Sequence, residues 1–589
     1  MSAGILQPPA RLLRHVHGWH WAARIQVRNN SGSSTGIPQS SKLSWMLLPT
    51  KKTGKKSDTA DMATSTDMLT KAGYIHQSSA GIYTLMPLAQ RVMDKIERIV
   101  DDEMQAVGGQ KLAMPTLLVP DNWKRTGRWQ TTGDELFTLK DRKQATLILG
   151  PTHEEEITAI VKAAVRGFRE LPLRLYQITR KFRDEARPRA GLLRAREFVM
   201  KDMYSFDVTR DQAIDTFHAL EHAYRRCFDR IGVPYAVADA DSGNIGGSLS
   251  KEFHFVHRSG EDTVLKCGGC GYTANEERAR GSCTGHGSAY LAAIVEDTKD
   301  GGKKRVASRL VVVPADHEPS ALKIRQAWPT APGQRLELTP VAAHEATALA
   351  TDADMLAPLV DTCASAGLPE TSSAVAGDWH VALAGDSCSQ CTDGRLASQR
   401  AIEVGHIFYL GDKYSRAMDL TVMHRGSRDF VQMGCYGIGV SRILQAAAEC
   451  CGSPGAGLRW PASIAPFMAA IVPLAGIEHA AQVYDALTQV VVGGRCVFAN
   501  NVAVDDRDYL SPGFRLHDAQ LLGFPVTLVL GKAFAATASE VEVQLRLPLL
   551  QHQRLPAAAV GIRLAHNNDE CRAHVPLDKL GEFLSCVLA

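Results

Sequence analysis

Apolar residues from position 87 onward recur at helical spacing. Leu88, Val92, Ile96, Ile99, Val100 and Met104 fall on one face, Pro87 occupies the first turn, and Gly108-Gly109 supplies a stop. This predicts an amphipathic helix over 87–107, followed by a strand in KLAMP that ends at Pro115. The run ATLILG leads into Thr152-His153-Glu154-Glu155, a Thr-x-x-Glu spacing that predicts a strand and then a helix opened by a capping box. Glu154, Glu155 and Glu156 then sit where the helix macrodipole favours negative charge. Two further apolar runs, LRLYQI and FVMKDMYSF, predict neighbouring strands. The loop between them is dense in charge, with Arg183, Asp184, Glu185, Arg187, Arg189, Arg194, Arg196 and Glu197. Thr209 to Ile231 reads as a helix with Ile214, Phe217, Leu220, Tyr224 and Phe228 on its apolar face and Gly232 beyond it. Past Trp460-Pro461, strand-like FMAAIVPL, VFAN and VTLVLG alternate with helical stretches at 480–490 and 514–522. That βαβαβ order predicts a small sheet covered by helices.

A chain of 589 residues holds three or four domains. Lys+Arg of 66 against Asp+Glu of 63 gives a net charge of +3, so any polyanion partner must be met by local basic surface and not by overall charge. No apolar run is long enough to span a bilayer as a helix. Thirteen cysteines are too few for a disulfide scaffold at this length, and several stand in C-x-x-C pairs, which indicates a reducing compartment. The first acidic residue is Asp58; before it, Arg11, Arg14, Arg24 and Arg28 are interleaved with apolar residues, and a Ser/Gly-rich tract follows. Residues 1–41 therefore have the composition of a mitochondrial transit peptide, with a disordered cytosolic tail as the alternative.

The pairs Cys267-Gly-Gly-Cys270 and Cys388-Ser-Gln-Cys391 offer the four thiolates of a structural Zn²⁺ site, provided that the segment between them leaves and returns through one neck. Reduced, metal-free thiols are the alternative reading. Cys283 and Cys363 have no comparable sequence partners.

The Arg-rich ribbon suits a polyanion, because guanidinium forks grip phosphate or carboxylate bidentately; a solvated, salt-bridged hairpin is the plain alternative. The residue order favours the first reading. Phe182-Arg183-Asp184-Glu185, then Arg194-Ala195-Arg196-Glu197-Phe198, resembles motif 2 of class II aminoacyl-tRNA synthetases. The longer string through MKDMYSF resembles the bacterial-type prolyl-tRNA synthetases in particular. Pro87 to Pro115 is similar to motif 1, which forms the dimer interface in that family. Met433-Gly-Cys435-Tyr-Gly437-Ile-Gly439-Val-Ser-Arg442 is similar to motif 3.

The resemblance implies an α/β multidomain protein. Residues 42–266 and 392–459 would form an antiparallel-sheet catalytic domain. Residues 267–391 would be an inserted editing-like domain, and 460–589 an α/β anticodon-binding domain. The implied activity joins proline to ATP and then to tRNA, with Mg²⁺ neutralising phosphate charge, in a homodimer of the mitochondrial matrix. On the residues that match, Arg183 would bridge the proline carboxylate and the α-phosphate, while Arg194 and Arg442 would hold the β,γ-phosphates. Phe198 would stack on adenine, Glu185 would accept from its amino group, and Gly437 and Gly439 would let the backbone approach the nucleotide. Thr152 and Glu154 would bind the imino group, His406 would wall the proline pocket near Cys435, and Glu403 would contact Mg²⁺ or ATP. Asp506, Arg507 and Arg515 would contact anticodon bases or phosphates.

Arg309–Val313 and the helix after it resemble part of the family's editing insertion, which hydrolyses mischarged alanyl-tRNA. Here it is shortened, has no Lys in the strand near Ala293–Asp297, and places Lys303 and Lys304 in the following turn. This implies a scaffold whose alanine-clearing activity is weak or lost. Two rivals stand beside this reading. One is a non-catalytic synthetase-like tRNA-binding paralogue, which the three motif arginines oppose. The other is a threonine enzyme, opposed by the absence of a Cys/His zinc set beside motif 2.

Overall fold

The computed structural model describes residues 36–50, 64–283, 285–297, 302–331, 334–350, 355–365, 374–452, 457–492, 495–547, 565–567 and 570–588. The expected transit peptide lies outside the described residues apart from 36–41.

The body expected to be catalytic is built on a nine-stranded sheet. Its order is Leu249–Val256, Tyr235–Asp239, Thr273–Asn275, Asp262–Cys267, Leu396–Gly411, Gln432–Ile438, Glu197–Asp207, Leu173–Phe182 and Gln110–Lys111. The long strands pair antiparallel, whereas Gln110–Lys111 lies parallel on the Leu173 strand. Only these two residues of the Gln110–Met114 stretch form a strand, so the predicted KLAMP strand is shorter and sits one residue earlier. The predicted helices form as Pro87–Ala106 and Arg210–Ile231, the second opened by a Thr209–Gln212 capping box and closed by Gly232 at φ 82°. Their apolar faces and that of helix Val440–Cys451 share one core with the sheet.

That core holds a lysine. Lys201 on the Glu197–Asp207 strand is fully buried, donating to Tyr224 Oη at 2.5 Å and to the Tyr436 carbonyl at 2.9 Å. Burial pushes its ammonium down to about 7.

The inserted domain leaves and returns through a single neck. Asp262–Cys267 pairs with Leu396–Ala401, and Gly281–Ser282 pairs with Ser387–Cys388. Beyond the neck stands a second sheet, in the order Gln334–Val341, Gly285–Asp297, Lys303–Pro314, Leu356–Asp361 and Val375–Gly377. Lys303 and Lys304 are not in a turn: they open the Lys303–Pro314 strand, facing Asp297 and Glu296 in register, and Lys303 pairs with Glu337 at 2.7 Å.

The C-terminal sheet runs Val502–Val504, Ala469–Pro473, Val526–Leu530, Glu540–Leu545, Glu570–Pro576 and Ala565–Asn567. The first three strands are parallel and the rest antiparallel. Helices Ala480–Thr488 and Pro512–Leu522 form as expected, but VFAN is the turn before a strand and the strand itself is Val502–Val504.

The three residues expected to touch the anticodon are used internally. Arg507 forks onto Asp505 with two bonds of 2.9 Å and meets Asp518 at 2.7 Å; Arg515 donates to the carbonyls of Pro473, at 3.0 Å, and Asp505. Both arginines are about 5 % exposed, so they fix helix Pro512–Leu522 to the sheet and cannot read a loop nucleotide. Asp506 accepts from the backbone and hydroxyl of Ser44 at 2.9 and 2.6 Å.

The boundaries at 41 and 460 also shift. Ile37 is buried in the C-terminal core, Lys42 bridges Val504, and Leu43 enters the catalytic core. Trp460 also belongs to the catalytic core, with its indole N–H on Tyr74 Oη at 2.9 Å.

The buried Lys201 makes stability depend on pH. An ordinary lysine titrates near 10.4, so between pH 7 and about 10 the unfolded chain binds the additional proton and the folded state gains as pH rises. Unfolding measured across that window will show wild type gaining on Lys201→Met by up to about 1.4 kcal/mol per pH unit.

Candidate active site

The predicted proline and nucleotide residues arise from four separate stretches, and the sheet brings them to one cavity of about 570 Å³. Thr152, Glu154, Arg183, Glu185, Arg194, Phe198, Glu403, His406, Cys435, Gly437, Gly439 and Arg442 all line it. That volume suits a small-molecule site.

Arg183 continues the Leu173–Phe182 strand, with its backbone N–H on the Arg196 carbonyl at 2.9 Å. Its guanidinium lies over the Phe198 ring, 5.3 Å from the centroid, and makes no ion pair among the described residues. Burial, with Arg442 beside it, pushes this cation below its ordinary range. Arg442, the last residue of the motif 3 string, lies in the first turn of helix Val440–Cys451 and donates to the Glu403 carbonyl at 2.9 Å and its carboxylate at 3.1 Å. A Cβ on Gly437 would meet nothing nearer than 3.8 Å, so the space there belongs to the cavity.

Glu403 and His406 are three apart on one strand, a spacing that puts residues on opposite faces of a regular strand. A bulge removes the conflict: Phe253 pairs with Gly405 and His254 with Glu403, leaving Val404 extra. His406 Nδ1 thus reaches Glu403 at 3.1 Å, while Nε2 meets Ser250 Oγ at 2.6 Å and the ring stacks on Phe408. Burial works against the Glu403 charge, but the His406 hydrogen bond and Arg442 win and hold the carboxyl well below the usual range.

Glu185 and Arg194, expected on different parts of a nucleotide, are joined here. Arg194 Nε meets Glu185 at 2.9 Å, and Nη1 lies 3.5 Å from Glu261. Their side chains remain partly exposed, and an exposed pair of this kind is weak, so it can yield to a nucleotide.

The end of the cavity expected to take the amino acid is built differently from the predicted capping box. Helix Glu154–Ala164 has no side-chain cap, because the Thr152 hydroxyl donates to the Glu154 carboxylate at 2.8 Å. Cys435 Sγ donates to the same carboxylate at 3.2 Å. Beneath them lies a residue that the sequence reading missed. Arg128, 4 % exposed, binds Glu154 at 2.8 Å and Glu155 at 3.1 Å and lies over Trp123. Burial raises both carboxyls; Arg128 and Thr152 bring Glu154 below its ordinary value, whereas Glu155, also facing Glu154, stays above it. Three adjacent glutamates read as macrodipole partners, and nothing in TGRW marked a buried counter-ion.

A second buried group also escaped the sequence. Asp202 pairs with Lys181 at 2.7 Å and accepts from Gln177 and Tyr204, each at 2.9 Å.

Away from the cavity, the neck brings the four predicted zinc ligands together. Cys267 and Cys391 sulfurs are 3.6 Å apart, those of Cys270 and Cys388 3.7 Å, and all four lie within 4.8 Å of one another. A Zn–S bond of about 2.3 Å gives a tetrahedron edge of about 3.8 Å, so the set fits. Gly269 and Gln390 N–H groups point at the Cys267 and Cys388 sulfurs, both at 3.3 Å.

Residues 137–450 match the family model of the tRNA synthetase class II core domain (G, H, P, S and T). The chain is 35 % identical over 549 residues to a proline–tRNA ligase of Leptospira interrogans, an alignment covering 84 % of this chain and 92 % of the relative. The proline–tRNA ligase of Desulforamulus reducens is 36 % identical over 562 residues, covering 86 % and 96 %. The chain belongs to the proline–tRNA ligase family. Its fold is also similar to that of a prolyl-tRNA synthetase from Cryptosporidium parvum solved with L-proline and AMP, with TM-score 0.54, 13 % identity, and 89 % and 79 % of the two chains covered. ATP-dependent ligation of proline to tRNA is the activity of this family, and the cavity described above is where its motif residues meet.

Removing Arg128 leaves two buried carboxylates facing each other. Arg128→Ala is expected to cost about 3–5 kcal/mol in denaturant or thermal unfolding and to raise the proline KM, whereas a surface control such as Arg125→Ala does neither.

Proposed function

We propose that this cavity activates proline as its adenylate and passes it to tRNA for organellar translation. The observation that carries the site assignment is Arg183, a cation with no ion pair among the described residues, beside Arg442 in a cavity that also holds Glu154 and Thr152. Two anions, the proline carboxylate and the α-phosphate, complete the first part. A secondary ammonium suits the carboxylate and hydroxyl of the second. Activation displaces pyrophosphate in line at the α-phosphorus, so fixed positive charge and positioning do most of the work. Arg183 holds the two reacting anions together, Phe198 offers a face to adenine, and Arg442, freed in part from Glu403, takes the terminal phosphates with Arg194. Cys435, sealed against Glu154 and with its thiol pushed well up by burial, has no nucleophilic role.

Glu403 and Glu252 offer the hard oxygen donors that Mg²⁺ takes, and bound there the ion would neutralise phosphate charge. The neck thiolates suit a structural Zn²⁺. The homodimer remains part of the proposal: Leu117, Val119 and Leu139, exposed by 52, 51 and 36 % at the small sheet that follows the motif 1 helix, are apolar surface for such an interface to cover. The acid-free residues 1–41 support delivery to the matrix. The inserted domain, without a Lys in its first strand, is assigned a scaffold role with weak alanine clearing.

ATP–pyrophosphate exchange tests the assignment. Proline should support exchange and threonine should not, and Arg183→Ala should lose about 100-fold or more while remaining folded. Folded wild-type protein that binds tRNA but exchanges with no amino acid would favour the non-catalytic alternative. For the neck, Cys267→Ser/Cys270→Ser should lower bound zinc by one ion per chain and loosen the inserted domain to proteolysis.

A further inference from the structure

Cys283 and Cys363, 80 residues apart, acquire partners in the fold. Cys283 stands just before strand Gly285–Asp297, and Cys363 follows strand Leu356–Asp361. Their sulfurs and a ring nitrogen of His380 lie within 4.8 Å of one another. His317 approaches the same sulfur: Nδ1 is 3.8 Å from Cys283 Sγ, and His380 Nε2 is 4.0 Å from it. The Cys283 N–H points at Cys363 Sγ at 3.5 Å, the same kind of N–H to sulfur contact that the neck knuckles make.

The far nitrogen of each imidazole is committed to a buried carboxylate. His317 Nε2 meets Asp386 at 3.1 Å, and His380 Nδ1 meets Asp361 at 2.8 Å. Asp361 also accepts from the backbone N–H groups of Cys363 at 2.9 Å, Trp379 at 2.6 Å and His380 at 3.1 Å, so one carboxylate orders two of the four side chains. When a carboxylate takes the proton-bearing nitrogen, the other nitrogen presents its lone pair, here toward sulfur in both rings. A single S–H can satisfy only one of two such lone pairs. Both imidazoles thus converge on Cys283, and His380 lies within 4.8 Å of Cys363 as well; in such an arrangement a metal replaces the proton and the carboxylates set tautomer and ring orientation.

We propose that Cys283, Cys363, His317 and His380 bind a second zinc-class ion, distinct from the four-thiolate site of the neck. Mixed sulfur and nitrogen donors select zinc over the hard, oxygen-preferring cations. The two centres are neighbours in the chain: Cys388 of the neck lies two residues from Asp386, and Cys283 two residues from Gly281, whose strand pairs with Ser387–Cys388. The proposal is independent of the proline reading, since it concerns only the inserted domain.

The first test uses the full-length wild-type protein, saturated with Zn²⁺ and freed of loose ions. Metal analysis is expected to give two ions per chain, and X-ray absorption an average shell of about three sulfurs and one nitrogen per ion. One ion per chain, a purely sulfur shell, or a Cys283–Cys363 disulfide in protein isolated under reducing conditions would overturn it. Cys363→Ser/His380→Ala, which leaves all four neck cysteines in place, should retain one ion and a four-thiolate Co²⁺ spectrum. Retention of two ions by this variant would equally defeat the assignment.

Discussion

Like charges held close in a partly dehydrated space repel, and the catalytic body is arranged to hold Arg183 near Arg442 all the same. Lys181 and Arg183 are two residues apart and project from the same side of one strand. The first is given a buried carboxylate, Asp202, at 2.7 Å, and the second pairs with none among the described residues. A ladder of antiparallel pairing from Leu173 to Phe182 against Glu197 to Phe206 keeps Arg183 from relaxing away. Fixed charge of this kind acts on a transition state without first having to reorganise, which is why a rigid sheet is a better support for it than a loop.

The end of the cavity around Glu154 follows the opposite rule. There every charge is answered, Glu154 by Arg128, Thr152 and Cys435 together, and the answering groups come from a loop, a helix start and a central strand. The site is thus polarised: open positive charge at one end, satisfied negative charge at the other. A zwitterion has one orientation that matches both.

Much of this was legible beforehand, for identifiable reasons. Helices 87–106 and 210–231 carry a 3.6-residue apolar period, and the motif strings fixed which residues would share a cavity. What stayed hidden depends on tertiary partners. Arg128 has no local signature, because a buried guanidinium is defined by two carboxylates 26 and 27 residues away. The Thr152 hydroxyl was read as a cap because a Thr-x-x-Glu spacing does not reveal that a nearer carboxylate will outcompete the backbone. Arg507 and Arg515 looked like nucleic-acid contacts because sequence cannot separate an exposed arginine from one locked onto Asp505 and Asp518. The bulge at Val404 is equally invisible, yet without it Glu403 and His406 would not face one another.

The segment from Ile37 to Ser44 crosses from the C-terminal core to the catalytic one, and Trp460, Ala519, Leu522 and Phe524 lie in the same packed core as the catalytic helices. The two bodies therefore share an interior, and the segment around Ile37 and Leu43 packs into both cores. Among the described residues the C-terminal domain meets the body that carries the cavity through packed apolar side chains, so a molecule that touched both would span a distance set by that packing.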